Sequence, residues 1–238
     1  MAAKIHVGVS GFSYPSWKGE FYPKDLSSEE FLVYYSKHLS TVEINSSFYA
    51  EPTAAMIESW AERTKPAFRF SFKAPKLITH TLKIGKGSPE AAERLSKKLG
   101  SLGPTRGALL FQLPPFMKQD LKVLDDFLSQ TGAVEGRVFE FRHDSWLVDS
   151  TYQLLEKHGV GFCIAETEDL APRFQVCGGI AYFRLRKDFY DGEAIDEWAG
   201  KIRATAKAVE TFVYLRHDET GTNAILAGKL SEALERAK

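Results

Sequence analysis

Eight short runs rich in aliphatic and aromatic residues recur along the chain, at 5–9, 41–45, 68–73, 108–113, 138–142, 161–166, 180–186 and 211–216. Helix-like stretches separate them. Runs of this length and composition read as β-strands. Strands that alternate with helices pair in parallel, because each crossover must carry the chain back to the starting edge. Eight such units in 238 residues predict a single (β/α)8 TIM-like barrel domain over residues 1–238, since these barrels run to about 250 residues. A doubly wound open sheet would show the same alternation and would be favoured by a missing strand.

Helix starts are marked between the runs. Ser27 with Glu30 forms a capping box ahead of Phe31, Leu32, Tyr34 and Tyr35. Thr53 caps the segment through Trp60, and Ser88-Pro89 supplies a cap with proline at the first helical position. Asp120, Asp149 and Asp191 open later helices. A helix is expected around Pro172, and Thr222 opens the last one, which runs almost to Lys238.

Lys plus Arg and Asp plus Glu both number 31, so the net charge is zero. General nucleic-acid or membrane-surface binders carry a basic excess, so neither partner is expected. No stretch reaches the length of a transmembrane helix, and the N-terminal residues carry no signal-like apolar run. Two cysteines, Cys163 and Cys177, make no disulfide framework. A cytoplasmic location is expected.

Alternate residues of a strand face opposite ways. Val42 and Ile44 oppose Thr41, Glu43 and Asn45, while Phe68, Phe70 and Phe72 oppose Arg69, Ser71 and Lys73. Phe139 and Phe141 oppose Glu140 and Arg142, and Phe183 and Leu185 oppose Tyr182, Arg184 and Arg186. Val213 and Leu215 oppose Tyr214 and Arg216, and Gln112 shares the parity of Ala108 and Leu110. The apolar sets need a helix layer, so the polar sets face the barrel axis. They gather towards the C-terminal strand ends, where barrel active sites form. Arg69, near a strand start, is expected at the barrel bottom. An antiparallel sheet wet on one face would alternate likewise.

Ser10, Glu43, Asn45, Lys73, Gln112, Glu140, Arg142, Glu166, Arg184, Arg186, Arg216 and Asp218 lie at strand ends, with His80 and His143 just beyond. Bases outnumber acids, which favours an anionic ligand held by forked guanidinium groups. The loop Gly85-Lys86-Gly87 is a weaker phosphate signal. A metal shell could draw on Glu140, Glu166, Asp218, His143 and His217, but the neighbouring cations oppose it, and neither HxxxH nor CxxC occurs. An ion-pair network serving only the barrel interior is the structural alternative.

The segment Glu43-Ile44-Asn45-Ser46-Ser47-Phe48-Tyr49 resembles the DUF72 (YecE-like) family. So do Gly8-Val9-Ser10-Gly11-Phe12-Ser13-Tyr14 with Trp17, and Phe72-Lys73-Ala74-Pro75-Lys76 followed by Ile78-Thr79-His80. Gln112-Leu113-Pro114-Pro115 and Glu140-Phe141-Arg142-His143 with Ser145-Trp146 carry it nearly to the end of the chain. The resemblance implies a TIM-like barrel and no known reaction; a tie to sugar isomerases rests on fold alone. The family pattern tends to Arg-x-His-Gly at the seventh strand, where this chain has Arg184-Leu185-Arg186-Lys187. It commonly ends the eighth in Asn-Asn or Asn-Asp, where this chain has Arg216-His217-Asp218, and the sixth in Asp, here Glu166. The extra arginines point to a different or more anionic ligand. Of the motif aromatics Phe12, Tyr14, Trp17, Phe48, Tyr49 and Trp146, some roof the barrel and others could stack on a sugar or base.

The expected function is binding or transformation of a small anionic or polyhydroxylated metabolite by acid–base chemistry, with no metal and no cofactor. Glu43 or Glu140 would act as base and His80 as accessory acid. Asn45, Lys73, Gln112, Arg142, His143, Arg184, Arg186 and Arg216 would bind substrate. Lys73 reads as an anion clamp, since Glu43 or Glu140 beside it would hold it protonated; a Schiff-base role is the alternative. Non-catalytic binding and a metal-dependent isomerase or phosphodiesterase are the competing functions.

Overall fold

The computed structural model describes residues 4–168, 171–206 and 209–236. Its eight strands are β1 (Ile5–Ser10), β2 (Thr41–Ile44), β3 (Arg69–Lys73), β4 (Arg106–Gln112), β5 (Arg137–Glu140), β6 (Gly161–Glu166), β7 (Ile180–Leu185) and β8 (Glu210–Leu215). All pair in parallel in sequence order, and β8 closes on β1. Closure excludes the open sheet. The helices are α1 (Phe31–His38), α2 (Ala54–Glu62), α3 (Ser88–Leu99), α4 (Leu121–Gln130), α5 (Asp149–Lys157), α6 (Gly192–Thr205) and α7 (Thr222–Arg236).

Local chemistry sets the helix starts. Thr53, Asp120 and Asp191 each accept a backbone N–H of the first turn, from Met56, Val123 and Ala194. Ser27 Oγ donates to Glu30 at 3.0 Å, and a single 3-10 turn (Ser28–Glu30) leads into α1. Three expectations are corrected. The cap of α3 is Gly87, at φ +86°, and Ser88 instead donates to the Gly85 carbonyl. Asp149 begins α5 without capping it; the preceding residue, Val148, is the cap. Around Pro172 residues 171–176 are not helical, and 169–170 lie outside the described residues, as does Lys238. Phe174 of that irregular stretch packs on Trp198 of α6.

The main core lies between barrel and helices. Phe70, Phe72, Phe111 and Phe139 are fully buried on the outer strand faces. Trp60 of α2 stacks on Phe70, and Phe127 of α4 meets Phe111 and Phe139 edge-on. Each such ring contributes roughly 2–3 kcal/mol of apolar burial. A smaller core fills the axis: Ala108, Leu110, Val138, Cys163, Tyr182, Phe212 and Tyr214. Tyr214 Oη donates to Ser71 Oγ at 2.8 Å and lies 2.7 Å from Thr41 Oγ1, tying β8 to β3 and β2 across the axis.

Arg69 sits at the barrel bottom, as parity and position imply. Its Nε lies 3.6 Å from Glu210, which also meets His6 Nε2 at 3.2 Å. A cleft of about 350 Å³ opens there, lined by Arg69, Arg106, Glu135 and Glu210 among others. At the β1–β2 pairing, Gly8 faces Thr41 so closely that a Cβ would stand 1.8 Å from the Thr41 carbonyl oxygen. Tyr35 of α1 closes the same point: its hydroxyl accepts from Val9 N and donates to Thr41 O, both at 2.9 Å. Among the described residues no helix is long and apolar enough to cross a membrane.

Candidate functional site

Three strand-end side chains meet on the axis. Arg184 of β7 donates from Nη1 to Glu140 of β5 at 2.6 Å and from Nη2 to Glu43 of β2 at 2.9 Å. A guanidinium fork between two carboxylates is the strong form of this contact. Around it, Ser10 Oγ donates to Glu43 at 2.8 Å, Tyr182 Oη donates to Glu43 at 2.7 Å, and Gln112 Nε2 donates to Glu140 at 2.7 Å. Glu43 is fully buried; Glu140 and Arg184 are 5% and 3% exposed.

Burial alone would raise a carboxyl, but Arg184, then Arg186 and the hydrogen bonds, hold Glu43 down at about 2. Burial opposes ionisation of Glu140 as well, and Arg184 again outweighs it. Arg184 is disfavoured by burial yet driven well above its usual range by the same two carboxylates. The floor of the mouth is therefore permanently ionised and internally paired. Pairing with Arg184 in this state weakens Glu43 and Glu140 as proton acceptors, and a general-base role for either would require the pair to open. Among the described residues, two buried side-chain polar atoms keep no protein partner, Arg184 Nε and Asn45 Oδ1.

Above the floor stand basic groups without counter-ions. Arg186 Nη1 donates to Ser10 Oγ at 2.9 Å, so Ser10 links Arg186 to Glu43. Burial, then Arg184, lowers Arg186 to about 10. Lys73 Nζ rests 4.1 Å from the Phe48 ring centre. Burial, then Arg184, brings its ammonium down to about 8 despite Glu140 and Glu43. His80 meets the same Phe48 ring edge-on at 4.9 Å, and its Nδ1 lies 2.9 Å from Thr79 Oγ1. Burial, then Lys73, Lys76 and Arg142, lowers the His80 imidazolium pKa. Arg142 is exposed at the rim. Among the described residues, Lys73, Arg142 and Arg186 have no carboxylate within ion-pair distance, because Arg184 occupies both central acids.

Other expected members stand elsewhere. Arg216 is exposed and pairs with Asp188 beyond β7. The Nδ1 of His143 accepts from Ser145 N and caps the turn Asp144–Trp146. Asp218 caps α7 by accepting from Gly221 N and Asn223 N. Glu166 has the parity of Phe162 and Ile164 and faces the helix layer, where it accepts from Tyr190 Oη and Trp198 Nε1 and pairs with Lys187. His217 stacks on Tyr14 at 5.1 Å. The candidate metal shell is thus dispersed: among the described residues no three His, Cys, Asp or Glu lie close enough to share an ion. Gly85-Lys86-Gly87 shares a cleft with Asp126 of α4, which opposes a phosphate there.

Tyr182, read from the sequence only as an axial residue, and Phe48, read only as a motif aromatic, are the site members without a catalytic or binding role in the sequence reading. Tyr182 carries the axial parity two residues before Arg184, and that spacing was the available signal. Phe12 packs on Trp60 and Tyr35, Trp17 donates to the Asp218 carbonyl, and Trp146 is buried against Phe141, so these three are roof packing. Tyr49 stays 84% exposed.

Comparison with known proteins agrees with this architecture. The family model "Protein of unknown function DUF72" matches residues 6–238. UPF0759 protein YecE of Escherichia coli (strain K12) is 30% identical over 140 residues, covering 58% of this chain and 48% of that protein. UPF0759 protein YunF of Bacillus subtilis (strain 168) is 28% identical over 157 residues, covering 63% and 54%. The aligned part of the chain thus spans about half the length of these curated relatives. The crystal structure of a DUF72 family protein from Thermotoga maritima MSB8 superposes with a TM-score of 0.84 at 26% identity, covering 98% of this chain and 99% of that one. The chain belongs to the DUF72 family, and its fold is the family's closed eight-stranded barrel.

Proposed function

We propose that the barrel mouth binds a small anionic or polyhydroxylated metabolite and transforms it by acid–base chemistry without a metal. The observation that carries this reading is the pair of half-buried cations without ion-pair partners among the described residues, Lys73 and Arg186, with the exposed Arg142 at the rim, above the Glu43–Arg184–Glu140 floor, whose own charges sum to only −1. Buried or half-buried cations without counter-ions are costly unless a ligand supplies the charge. Arg142 and Arg186 would hold the anionic group. Lys73, lowered to about 8, would move protons, and His80, whose imidazolium is disfavoured by burial and then by Lys73, would stand beside it as a neutral imidazole to accept them. Gln112 and Asn45 would orient hydroxyl groups, with the unpartnered Asn45 Oδ1 as acceptor. Two buried, unpaired cysteines support a reducing, cytoplasmic setting. The non-catalytic reading draws on the full hydrogen bonding of both carboxylates, and a turnover screen against phosphorylated and carboxylated sugars separates the two.

Phosphate or sulfate is expected to raise the melting temperature, because a ligand of the native state stabilises it by about 2.7 kcal/mol at a hundredfold excess over Kd. Replacing Arg142 and Arg186 together by Ala should abolish most of that rise. An equal rise in the double variant would contradict the site.

A further inference from the structure

We propose that Lys73 is an amine nucleophile that forms a Schiff base with a small aldehyde or ketone carrying an anionic group. This rests on the anion-site reading and names its substrate class.

The backbone fixes where the amine stands. Lys73 ends β3 on the axial side, its carbonyl accepts from Ser47 Oγ at 2.7 Å, and the next residue, Ala74, donates its N–H to the Leu110 carbonyl at 2.8 Å. The strand end is thus pinned to β4 and to the turn Ser46–Phe48. Two features keep the amine from being a simple ion-pair partner. Glu43 and Glu140 are both bound to Arg184, so neither closes on Nζ. Phe48 covers one side of the ammonium at 4.1 Å with a ring that attracts the cation but carries no charge to neutralise it. Burial, and then the like charge of Arg184 and Arg186, outweigh Glu140 and Glu43, and the lysine falls to about 8. Near pH 7 about a tenth of it is free amine, a few hundredfold more than in an ordinary lysine near 10.5. His80 on the same ring, with its own affinity for protons lowered, can relay them.

The step balances without a co-reactant. The Nζ lone pair attacks the carbonyl carbon, and the C=O π pair moves onto oxygen. The amine gives up two protons, both of which leave with that oxygen as water as the C=N bond forms. Nothing is oxidised or reduced. The iminium formed by proton uptake from solvent draws electrons from the neighbouring carbon, the basis of covalent catalysis by lysine.

The test is reductive trapping of the full-length protein at pH 7 with pyruvate, glyoxylate or glyceraldehyde 3-phosphate in the presence of cyanoborohydride, with adducts mapped by peptide mass spectrometry. Lys73 should label at least about tenfold faster than the exposed Lys76 and Lys86. Added phosphate should slow that labelling, and Lys73→Arg should remove it while leaving circular dichroism unchanged. Labelling of Lys73 no faster than Lys76 with all three probes would overturn the proposal. If phosphate still raises the melting temperature in that case, the anion site stands and only the nucleophile is lost. If Lys73 labels equally fast with neutral propionaldehyde and phosphate changes neither labelling nor melting, the nucleophile stands and the anion site is lost.

Discussion

Replacing Arg184 by Met should destabilise the protein by about 3–5 kcal/mol near neutral pH and reverse the sign of its pH dependence. In the native chain Glu43 is held at about 2, well below the 4.5 of a free carboxyl. A depressed carboxyl contributes stability that is full above its unfolded value and is lost as pH falls. For Glu43 that window runs from about 4.5 down to about 2, with roughly 3 kcal/mol at stake. Glu140 shifts in the same direction and adds to the loss. Removing the guanidinium leaves two buried carboxylates with no cation between them, the costly way to break a buried pair. Burial then dominates and their pKa values rise above the unfolded value. A raised carboxyl contributes stability below the unfolded value, lost as pH climbs through the folded one. Urea unfolding at pH 4 and pH 8 distinguishes the cases. The native protein should be more stable at pH 8 and Arg184→Met more stable at pH 4. A variant that loses stability in acid as the native protein does would contradict the account. Adding Glu43→Gln and Glu140→Gln to Arg184→Met should recover much of the loss, since no charge is then stranded.

The second large effect is expected at Gly8, which no site chemistry involves. An alanine methyl there would lie 1.8 Å from the Thr41 carbonyl oxygen and 3.0 Å from the Tyr35 hydroxyl. The first of these atoms is backbone in a paired strand, so β1 must move away from β2. That movement breaks the Tyr35 hydroxyl bridge and shifts the register that sets Ser10 opposite Glu43. A loss of at least about 3 kcal/mol is expected for Gly8→Ala, beyond ordinary overpacking. The anion-dependent rise in melting temperature should shrink with it. A variant melting within about 2 °C of the native protein would show that the β1–β2 contact is looser than described.

Much of this was legible in the sequence because period-two alternation is strict in a strand buried on both faces. Phe68, Phe70 and Phe72 could only face the helices, which turned Lys73 inward, and the same logic placed Glu43, Glu140 and Arg184 on one axis. Parity gives a side but not a depth or a partner. It could not say that Arg184 would claim both carboxylates, so the sequence reading gave Glu43 and Glu140 the role of base. It also need not hold one residue beyond a strand. Arg186, just past the end of β7, keeps the axial side and reaches Ser10, whereas Arg216, just past the end of β8, swings out to Asp188. Glu166 misled for a simpler reason. It is polar at a strand end, yet its parity matches Phe162 and Ile164, and Trp198 and Tyr190 supply donors that let an acid face the helix layer. His143 and Asp218 are polar loop residues whose hydrogen bonds go to local backbone, a use that residue type alone does not separate from ligand binding.

The central claim is that Arg184 takes up both central carboxylates and leaves Lys73 as an unpaired amine facing the ligand. Titration of the Lys73 side chain, followed by NMR in protein carrying ¹³C-labelled lysine and assigned with Lys73→Arg, tests it most directly. The account predicts a midpoint of about 8 in the free protein, moving upward when phosphate binds beside the amine. A midpoint in the ordinary lysine range near 10.5, unmoved by phosphate, would contradict it.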